Sequence, residues 1–261
     1  MNRTVLLASQ IIDGRGGNPL AEGGILIEGE RIRAVAPRAD LEQLPDARVY
    51  DLTGWTLLPG LMDAHIHLDG WETTNRFDWV VMPDALRALN AAAYAKRVLD
   101  AGFTCVRDAG SNIAPQFVPT LSIPRMSLRG EPRYPLSNAA RDKWEKTVRG
   151  ANESVRLAKE YGIRIALGTD FGGQPFFPPD QLAVELEFMV EAGLTPHEAI
   201  IAATQTAAQV IEVEDELGTL EPGKLADVVG VKGDPLQDIT LFQKMGLVIK
   251  GGTLIHARGF A

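Results

Sequence analysis

Short apolar or alternating segments at both ends of the chain predict β-strands. Turn signals such as Asp13-Gly14 and Gly251-Gly252 separate them, because glycine adopts the positive φ that tight turns require. The segments lie at residues 4–8, 24–28, 31–36, 49–52 and 56–58, and again at 218–220, 227–231, 246–250 and 253–256. We expect a small β-sandwich layer built from residues 1–56 together with residues 217–261.

The middle of the chain, residues 57–216, alternates strand and helix patterns. Apolar residues recur at intervals of four, three, four and three from Trp144 to Ala158, which predicts a helix that Gly162 ends. A later helix opens with a capping box from Thr195 to Glu198. The predicted helices are 84–101, 144–161, 181–192 and 196–211, and the predicted strands are 57–64, 103–108, 117–121 and 163–169. Strand–helix–strand units of this kind build parallel α/β sheets.

Composition narrows the class of protein. The chain has 261 residues, of which 45% are hydrophobic, so it can bury a sizeable core. A formal net charge of −8 gives no basic surface for nucleic acid or for an anionic membrane. Cys105 is the single cysteine, and the apolar run from Val5 to Ala8 is too short for a signal-peptide core. We expect a cytoplasmic protein without disulfides.

Candidate chemistry lies at the ends of the central strands. His65 and His67 are two residues apart, so in a strand both imidazoles point to the same face and can bind one metal ion such as Zn²⁺. Asp108 and Asp170 end two other strands, and sites form beyond the carboxyl ends of parallel strands. Two imidazoles and one carboxylate make a three-ligand site with a position open to water. By itself, His-x-His also fits two polar residues at a strand end without a ligand.

Four segments resemble the signatures of one family. Residues 58–67 (LPGLMDAHIH) resemble the first-strand signature of the amidohydrolase superfamily, and residues 166–170 (ALGTD) resemble its last barrel strand. Residues 195–204 are similar to the helix after that strand, and residues 218–229 to the C-terminal β-layer. The matches occur in the family's order and are closest to its imidazolonepropionase-like and Xaa-Pro-dipeptidase-like branch.

The resemblance implies a divalent-metal hydrolase on a (β/α)₈ barrel of the TIM type, accompanied by a β-sandwich. Its substrate would be a small molecule with a C–N bond, a cyclic amide or a dipeptide-like compound. By this resemblance His65 and His67 would bind the metal, for which we expect Zn²⁺, and Asp170 would bind it and also relay the proton.

The chain departs from the family in its middle strands. The family also uses a carboxylated lysine and two further histidines there, and this chain has no histidine between residues 68 and 196. A complete barrel takes about 250 residues, whereas residues 56–216 number 161. The eight residues between Asp108 and Phe117 are too few for a parallel crossover. We expect a truncated barrel of about four strand–helix units in residues 57–216, without strands three to six, and at most one metal per chain.

Two functional hypotheses follow, a metal-dependent hydrolase and a non-catalytic amidohydrolase remnant with at most one weakly bound metal. A half-barrel also exposes strand edges, so we expect a homo-oligomer that covers them. Two sets of side chains that follow the central strands could contact the substrate, or they could simply be surface and packing residues. Arg125, Arg129, Arg133 and Tyr134 lie in a predicted loop at 122–138, and Trp71, Phe77 and Trp79 follow the histidines.

Overall fold

The computed structural model describes residues 3–68, 83–108, 118–129, 135–172 and 177–258, and these form a mixed α/β fold. The strands are β1 (Arg3–Ile11), β2 (Leu20–Glu28), β3 (Arg31–Pro37), β4 (Ala47–Pro59), β5 (Leu61–Ile66), β6 (Phe103–Asp108), β7 (Val228–Lys232), β8 (Leu247–Lys250) and β9 (Thr253–Ala257). The helices are α1 (Arg38–Leu41), α2 (Asp84–Asp100), α3 (Ser122–Arg129), α4 (Asn138–Glu160), α5 (Val184–Glu191), α6 (Pro196–Ala202) and α7 (Gln205–Ile211), with 3₁₀ segments at Pro179–Gln181 and Ile239–Lys244. None of the helices in these ranges combines the length and apolarity of a membrane span.

Strands from both ends of the chain lie in one seven-stranded sheet of order β3-β2-β1-β4-β7-β8-β9. The two ends meet where β4 pairs antiparallel with β7. The strands predicted at 49–52 and 56–58 are one strand, because Gly54 carries the chain through a bulge at φ +84°. The strand predicted at 218–220 is wrong. Gly218 adopts φ +88° there, and the Leu220 N–H bonds to the carbonyl of Asp13 in another loop.

Residues of β7 and β8 alternate between two hydrophobic cores. Val228, Leu247 and Ile249 face a core that they share with β1, β2 and β4. Val229 and Val248 face the other core, where the helices pack. Because neighbouring residues of a strand point to opposite faces, the sheet separates these two cores.

The strand predicted at 57–64 divides at Gly60 into the end of β4 and β5. A side chain at Gly60 would come within 2.1 Å of Thr104 Oγ1, so the close approach of β6 requires glycine. The Gly60 N–H bonds to Asp227 O at 2.9 Å, which anchors the break to the large sheet. β5 then pairs in parallel with β6, which confirms the strand predicted at 103–108.

The segment predicted as strand 163–169 lies beside β5 without a regular ladder. Asp170 N–H donates to His65 O at 2.8 Å, and a parallel bridge follows one residue further on. The Thr169 N–H turns to the Asp63 carboxylate instead of to a neighbouring carbonyl. The segment therefore runs along β5, but a side chain interrupts its backbone pairing.

The strand predicted at 117–121 is wrong over its described residues, and the loop predicted at 122–138 is wrong for residues 122–129, whereas residues 135–137 are neither helix nor strand. Residues 118–121 form no strand, because the Leu121 N–H bonds to the Glu185 carboxylate at 2.9 Å rather than to a neighbouring strand. The expected loop begins with α3. Glu185 also accepts a hydrogen bond from the Ser122 hydroxyl, so a carboxylate stabilises the first turn of that helix.

Two long helices agree with their predictions. α2 ends one residue before the predicted boundary, and Gly102 follows at φ +94°. α4 contains the whole apolar stripe and stops before Gly162, which adopts φ +67°. The helix predicted at 181–192 is the shorter α5, preceded by a 3₁₀ turn.

The helix predicted at 196–211 divides into α6 and α7. Its start is as expected, since Thr195 and Glu198 form both bonds of a capping box. The carbonyl of Ala203 then accepts the N–H of Met62 in β5 at 2.8 Å, and Thr204 leaves the helical conformation at φ −130°. A tertiary bond to the strand that carries the histidines therefore replaces the helical one.

Candidate metal centre

Three side chains with metal-binding atoms meet at the carboxyl end of β5. The rings of His65 and His67 lie 5.3 Å apart between centroids, at an interplanar angle of 82°. Asp170 approaches from the segment beside β5, with its Oδ1 3.5 Å from His65 Nε2 and 3.2 Å from His67 Nε2. The structure thus places the three sequence candidates together, with one ligand atom of each within 4.8 Å of the others.

The spacing of these atoms suits one divalent cation. Bonds of about 2.0–2.2 Å in a tetrahedral zinc site separate neighbouring donor atoms by about 3.3–3.6 Å. The separation of 3.5 Å between His65 and Asp170 lies in that range, and the separation of 3.2 Å between His67 and Asp170 lies just below it. The three side chains are 35–40% exposed, so a small molecule can reach the position between them. Within the described ranges no other group of His, Cys, Asp or Glu is arranged to hold a metal.

A buried carboxylate lies directly behind the centre. Asp63 is fully buried, and its Oδ1 accepts the N–H of His65 at 3.0 Å and the N–H of Thr169 at 3.1 Å. Its Oδ2 accepts the Thr169 hydroxyl at 2.5 Å. One side chain thus joins the strand that carries both histidines to the segment that carries Asp170. Sequence reasoning missed Asp63, although an acidic residue inside an apolar strand already calls for buried partners.

Asp170 adopts the left-handed backbone conformation, with φ +53°. For a residue other than glycine this region is unfavourable, although aspartate tolerates it better than most. Its own N–H bonds to His65 O at 2.8 Å, and the next peptide carbonyl, that of Phe171, accepts the N–H of His67 at 2.6 Å. The backbone on both sides of Asp170 is thereby tied to the histidine strand, which turns the carboxylate toward the imidazoles.

The centre and its support have shifted pKa values. The hydrogen bond to Asp170 is the largest cause of a raised pKa at His65, which partial burial opposes. Burial raises the pKa of Asp63 to about 6, although its three hydrogen bonds favour the carboxylate. A metal ion would reverse the shift at His65, since it binds the neutral imidazole.

Asp108 and Cys105, on β6, lie outside the cluster of three. Asp108 Oδ2 accepts the N–H of Leu68 at 3.2 Å, so this carboxylate fixes the backbone just after His67. Cys105 is half-buried, and burial raises the pKa of its thiol, as expected for a small apolar residue. Asp108 thus supports the histidine loop without facing the other ligand atoms.

Two of the arginines proposed as substrate contacts pack elsewhere. Arg125 is 6% exposed and donates to Leu121 O at 3.2 Å, so it is not in a solvated loop. Arg129 pairs with Glu187 at 3.0 Å, and both guanidinium groups stack on Phe188. The remaining members of the two proposed sets, Arg133, Tyr134, Trp71, Phe77 and Trp79, lie outside the described residues, as do residues 111–114, where the sequence predicts missing strands.

The other two histidines are remote from the cluster. His197 is at the second position of α6, and its buried Nε2 has no hydrogen-bond partner. His256, on β9 of the large sheet, has its Nε2 2.8 Å from Asp100 O. Neither adds a ligand to the centre, as the sequence predicts.

A family model supports the resemblance read from the motifs. The model described as the amidohydrolase family matches residues 133–255, a range that contains Asp170, α5 to α7 and the C-terminal strands. This part of the chain is therefore similar to the amidohydrolase family. The match begins after the histidine pair, so the proposal that His65 and His67 are metal ligands rests on their distances to Asp170.

Curated relatives align over less than half of the chain. Ochratoxinase of Aspergillus niger is 37% identical over 127 residues, which are 46% of this chain and 25% of that protein. Imidazolonepropionase of Symbiobacterium thermophilum is 38% identical over 113 residues, 40% of this chain and 25% of that protein. The alignments thus span about a quarter of the length of these relatives.

Solved structures share the fold at low sequence identity. A Xaa-Pro dipeptidase with bound methionine superposes with a TM-score of 0.75 at 19% identity, over 97% of this chain and 99% of that chain. Ochratoxinase of A. niger gives a TM-score of 0.80, also at 19% identity, over 100% and 97% of the two chains. The described mixed α/β fold therefore resembles the folds of these two solved structures.

Proposed function

We propose that this chain is a divalent-metal-dependent hydrolase of C–N bonds in cyclic amide or dipeptide-like small molecules. The observation that carries the proposal is the convergence of His65, His67 and Asp170, whose facing atoms are 3.2 and 3.5 Å apart. The names of the relatives, imidazolonepropionase and Xaa-Pro dipeptidase, support this class of substrate. Zn²⁺ is the proposed ion, since two imidazoles and a carboxylate are donors that zinc accepts.

The side chains present can divide the chemistry among themselves. A bound cation would polarise the scissile carbonyl and lower the pKa of a water molecule. His65 and His67 would hold it through their Nε2 atoms, which already face Asp170. The Asp170 carboxylate would take a proton from water and deliver it to the leaving nitrogen, as general acid–base catalysis requires. Asp63 stays behind the centre and fixes the backbone.

A second candidate is the non-catalytic remnant with at most one weakly held metal. The observation that favours it is the ligand count, because only three ligating side chains cluster in the described part of the chain. A site with few ligands loses affinity steeply when a supporting group is absent. Metal content separates the two candidates before any substrate is known.

The test is metal analysis of the purified chain, with His65→Ala, Asp170→Ala and the matched control His256→Ala. The hydrolase proposal expects about one tightly held Zn²⁺ per chain, retained in the control and lost in the two site variants. A chain that retains no zinc after purification and binds none on addition would exclude the hydrolase. Hydrolysis of cyclic amides and dipeptides, screened with the zinc-loaded chain, then identifies the substrate class.

We further propose that the central region, residues 57–216, is a partial barrel of about four strand–helix units. Residues 1–56 and 217–261 would form a small β-sandwich beside it, which is supported by a hydrophobic core shared between the N-terminal strands and β7 and β8. Asp108 ends the edge strand β6, whose one ladder partner in the described ranges is β5. Leu86 and Leu89 are 46% and 69% exposed on α2.

The edge of β6 that has no ladder partner in the described ranges, together with the exposed leucines, favours a homo-oligomer in which a second copy covers them. We place this homo-oligomer in the cytoplasm, as the sequence leads us to expect. The acidic net charge of −8 argues against a nucleic-acid or anionic-membrane partner. Light scattering at micromolar concentration tests this proposal, and a well-folded monomer would contradict it.

A further inference from the structure

We propose that Asp63 and Thr169 are positioning residues that hold Asp170 in its left-handed conformation and so set its distance to His65 and His67. The inference rests on the proposed metal centre but concerns two residues that touch neither the ion nor the substrate. Both are completely buried. Their hydrogen bonds form a closed frame around the peptide that carries Asp170.

The first step is the link between the two segments. Asp63 belongs to β5, and its Oδ1 accepts the N–H of His65 and the N–H of Thr169, at 3.0 and 3.1 Å. A regular ladder would have supplied a carbonyl for the Thr169 N–H, and here the carboxylate replaces it. A shift of either segment along the other would break a bond to a fully buried acceptor, which is costly because no water replaces it.

The second step is the hydroxyl of Thr169. It donates to Asp63 Oδ2 at 2.5 Å, and its oxygen accepts the N–H of Phe171 at 3.1 Å. The peptide that follows Asp170 is therefore fixed through the Thr169 side chain, and the peptide that precedes Thr169 is fixed through the Thr169 N–H. A residue without a hydroxyl at position 169 would release the peptide that follows Asp170 and leave a buried N–H unpaired.

The third step is the conformation itself. Asp170 has φ +53°, a conformation that is unfavourable for residues other than glycine and persists only where surrounding contacts fix it. If the frame loosens, the residue gains by returning to negative φ, and its carboxylate then moves away from the imidazoles. Since metal donors must lie within a few tenths of an ångström of their positions, such a movement weakens binding.

The experiment compares two substitutions at one position. Thr169→Val has nearly the same size but removes the hydroxyl, whereas Thr169→Ser keeps it. Thr104→Val is the matched control, because Thr104 is a buried threonine whose hydroxyl has no hydrogen-bond partner. Asp63→Asn is the second variant, which keeps one acceptor oxygen but presents N–H groups to the Thr169 hydroxyl or N–H.

Two readouts are measured on each variant. The first is Zn²⁺ affinity, by competition with a chelator. The second is hydrogen exchange of the His67 and Asp170 amides in the metal-free chain, which reports the frame directly. We expect Thr169→Val and Asp63→Asn to bind Zn²⁺ about 10- to 100-fold more weakly and to exchange these two amides at least about 10-fold faster. Thr169→Ser and Thr104→Val should match the parent in both.

The inference is overturned if Thr169→Val keeps the parent's exchange at both amides, or if Thr104→Val weakens metal binding as much as Thr169→Val does. Should Thr169→Val not fold, Asp63→Asn against Thr169→Ser makes the same comparison. A parent chain that binds no zinc refutes the proposed function alone, because the exchange rates of the metal-free proteins still decide whether the frame positions Asp170.

Discussion

The terminal sheet and the strands around the metal centre satisfy their backbone groups in different ways. In the sheet, β1 is paired along its length with β2 on one side and β4 on the other. Around the centre, three carboxylates accept backbone N–H groups that have no strand partner: Asp63 those of His65 and Thr169, Glu185 that of Leu121, and Asp108 that of Leu68. Regular strand pairing satisfies the backbone groups of the sheet, whereas individual acidic side chains satisfy several of those around the candidate metal centre.

This difference determines where single substitutions act. Ladder bonds survive most changes of side chain, so the sheet depends on the apolar residues packed on its faces. The central region depends on particular polar side chains in addition, because removal of the Asp63 or Glu185 carboxyl group leaves a buried N–H unpaired. The proposed metal ligands lie in the region that depends on these particular polar side chains.

The largest effect should come from the sheet. Leu6 is fully buried on β1, and Leu6→Ala should lower the free energy of unfolding by about 2–5 kcal/mol through lost burial and a cavity. Urea unfolding measures it, with Leu89→Ala as the control, because Leu89 is 69% exposed. If the regions differ as described, zinc affinity of the folded Leu6→Ala chain stays at the parent value. A comparable loss of zinc affinity would mean that the sheet and the central region are energetically coupled.

Next comes the pH dependence conferred by Glu185. Burial is the largest cause that raises the pKa of this carboxyl from 4.5 to about 8, and the charge of Asp63 contributes, against the hydrogen bonds from Ser122 and Leu121. Arg125 is a charged group on the helix packed beside it. Between these pH values the folded chain holds a proton that the unfolded chain has lost, so this stabilisation is complete below pH 4.5 and is lost as the pH rises through 8.

In the parent chain the free energy of unfolding should therefore fall as the pH rises from 5 to 8. Glu185→Gln should make this fall smaller by a few kcal/mol, since one pKa unit corresponds to about 1.4 kcal/mol. Urea titrations of both chains at the two pH values measure the difference. The exposed Glu145→Gln should leave the parent's slope unchanged. Equal slopes in the parent and Glu185→Gln would show that burial of Glu185 carries no such linkage.

Gly168→Ala should have a smaller effect on stability and a specific effect on the centre. An added Cβ would lie 2.4 Å from Val118 Cγ1 and 2.9 Å from His65 Cβ, so both must move. Overpacking of this kind costs about 1–3 kcal/mol, and the displacement of His65 should weaken zinc binding. Thermal unfolding and zinc competition measure the two consequences. Parent-like zinc affinity would mean that His65 does not depend on this contact.

Gly150→Ala should show the smallest change, with the opposite sign. Gly150 is exposed in the middle of α4, and an added Cβ would meet nothing within 4 Å. Alanine there should stabilise the chain by about 0.5–1 kcal/mol, because glycine loses more backbone entropy in a helix. Thermal unfolding measures this change as well. If Gly150→Ala destabilised the chain, it could not serve as the control for Gly168→Ala.

The sequence by itself determined the parts of this protein that depend on local pattern. The spacing of His65 and His67 was enough to expect both imidazoles on one face, and the family resemblance then selected Asp170 from the two strand-end aspartates. The stripe from Trp144 to Ala158 was enough for α4. These features repeat with the period of a helix or a strand, or lie at the end of an apolar run, so nearby residues suffice to reveal them.

Tertiary structure alone decided the hydrogen-bonded frame around the centre. Asp63 and Thr169 are 106 positions apart in the chain, and Glu185 lies 64 positions from Leu121. No local pattern shows that a carboxylate will replace a strand partner over such a separation. The break between α6 and α7 has the same origin, because the carbonyl at that point accepts a bond from β5. Long-range polar contacts thus gave the metal centre its geometry, while local patterns supplied its residues.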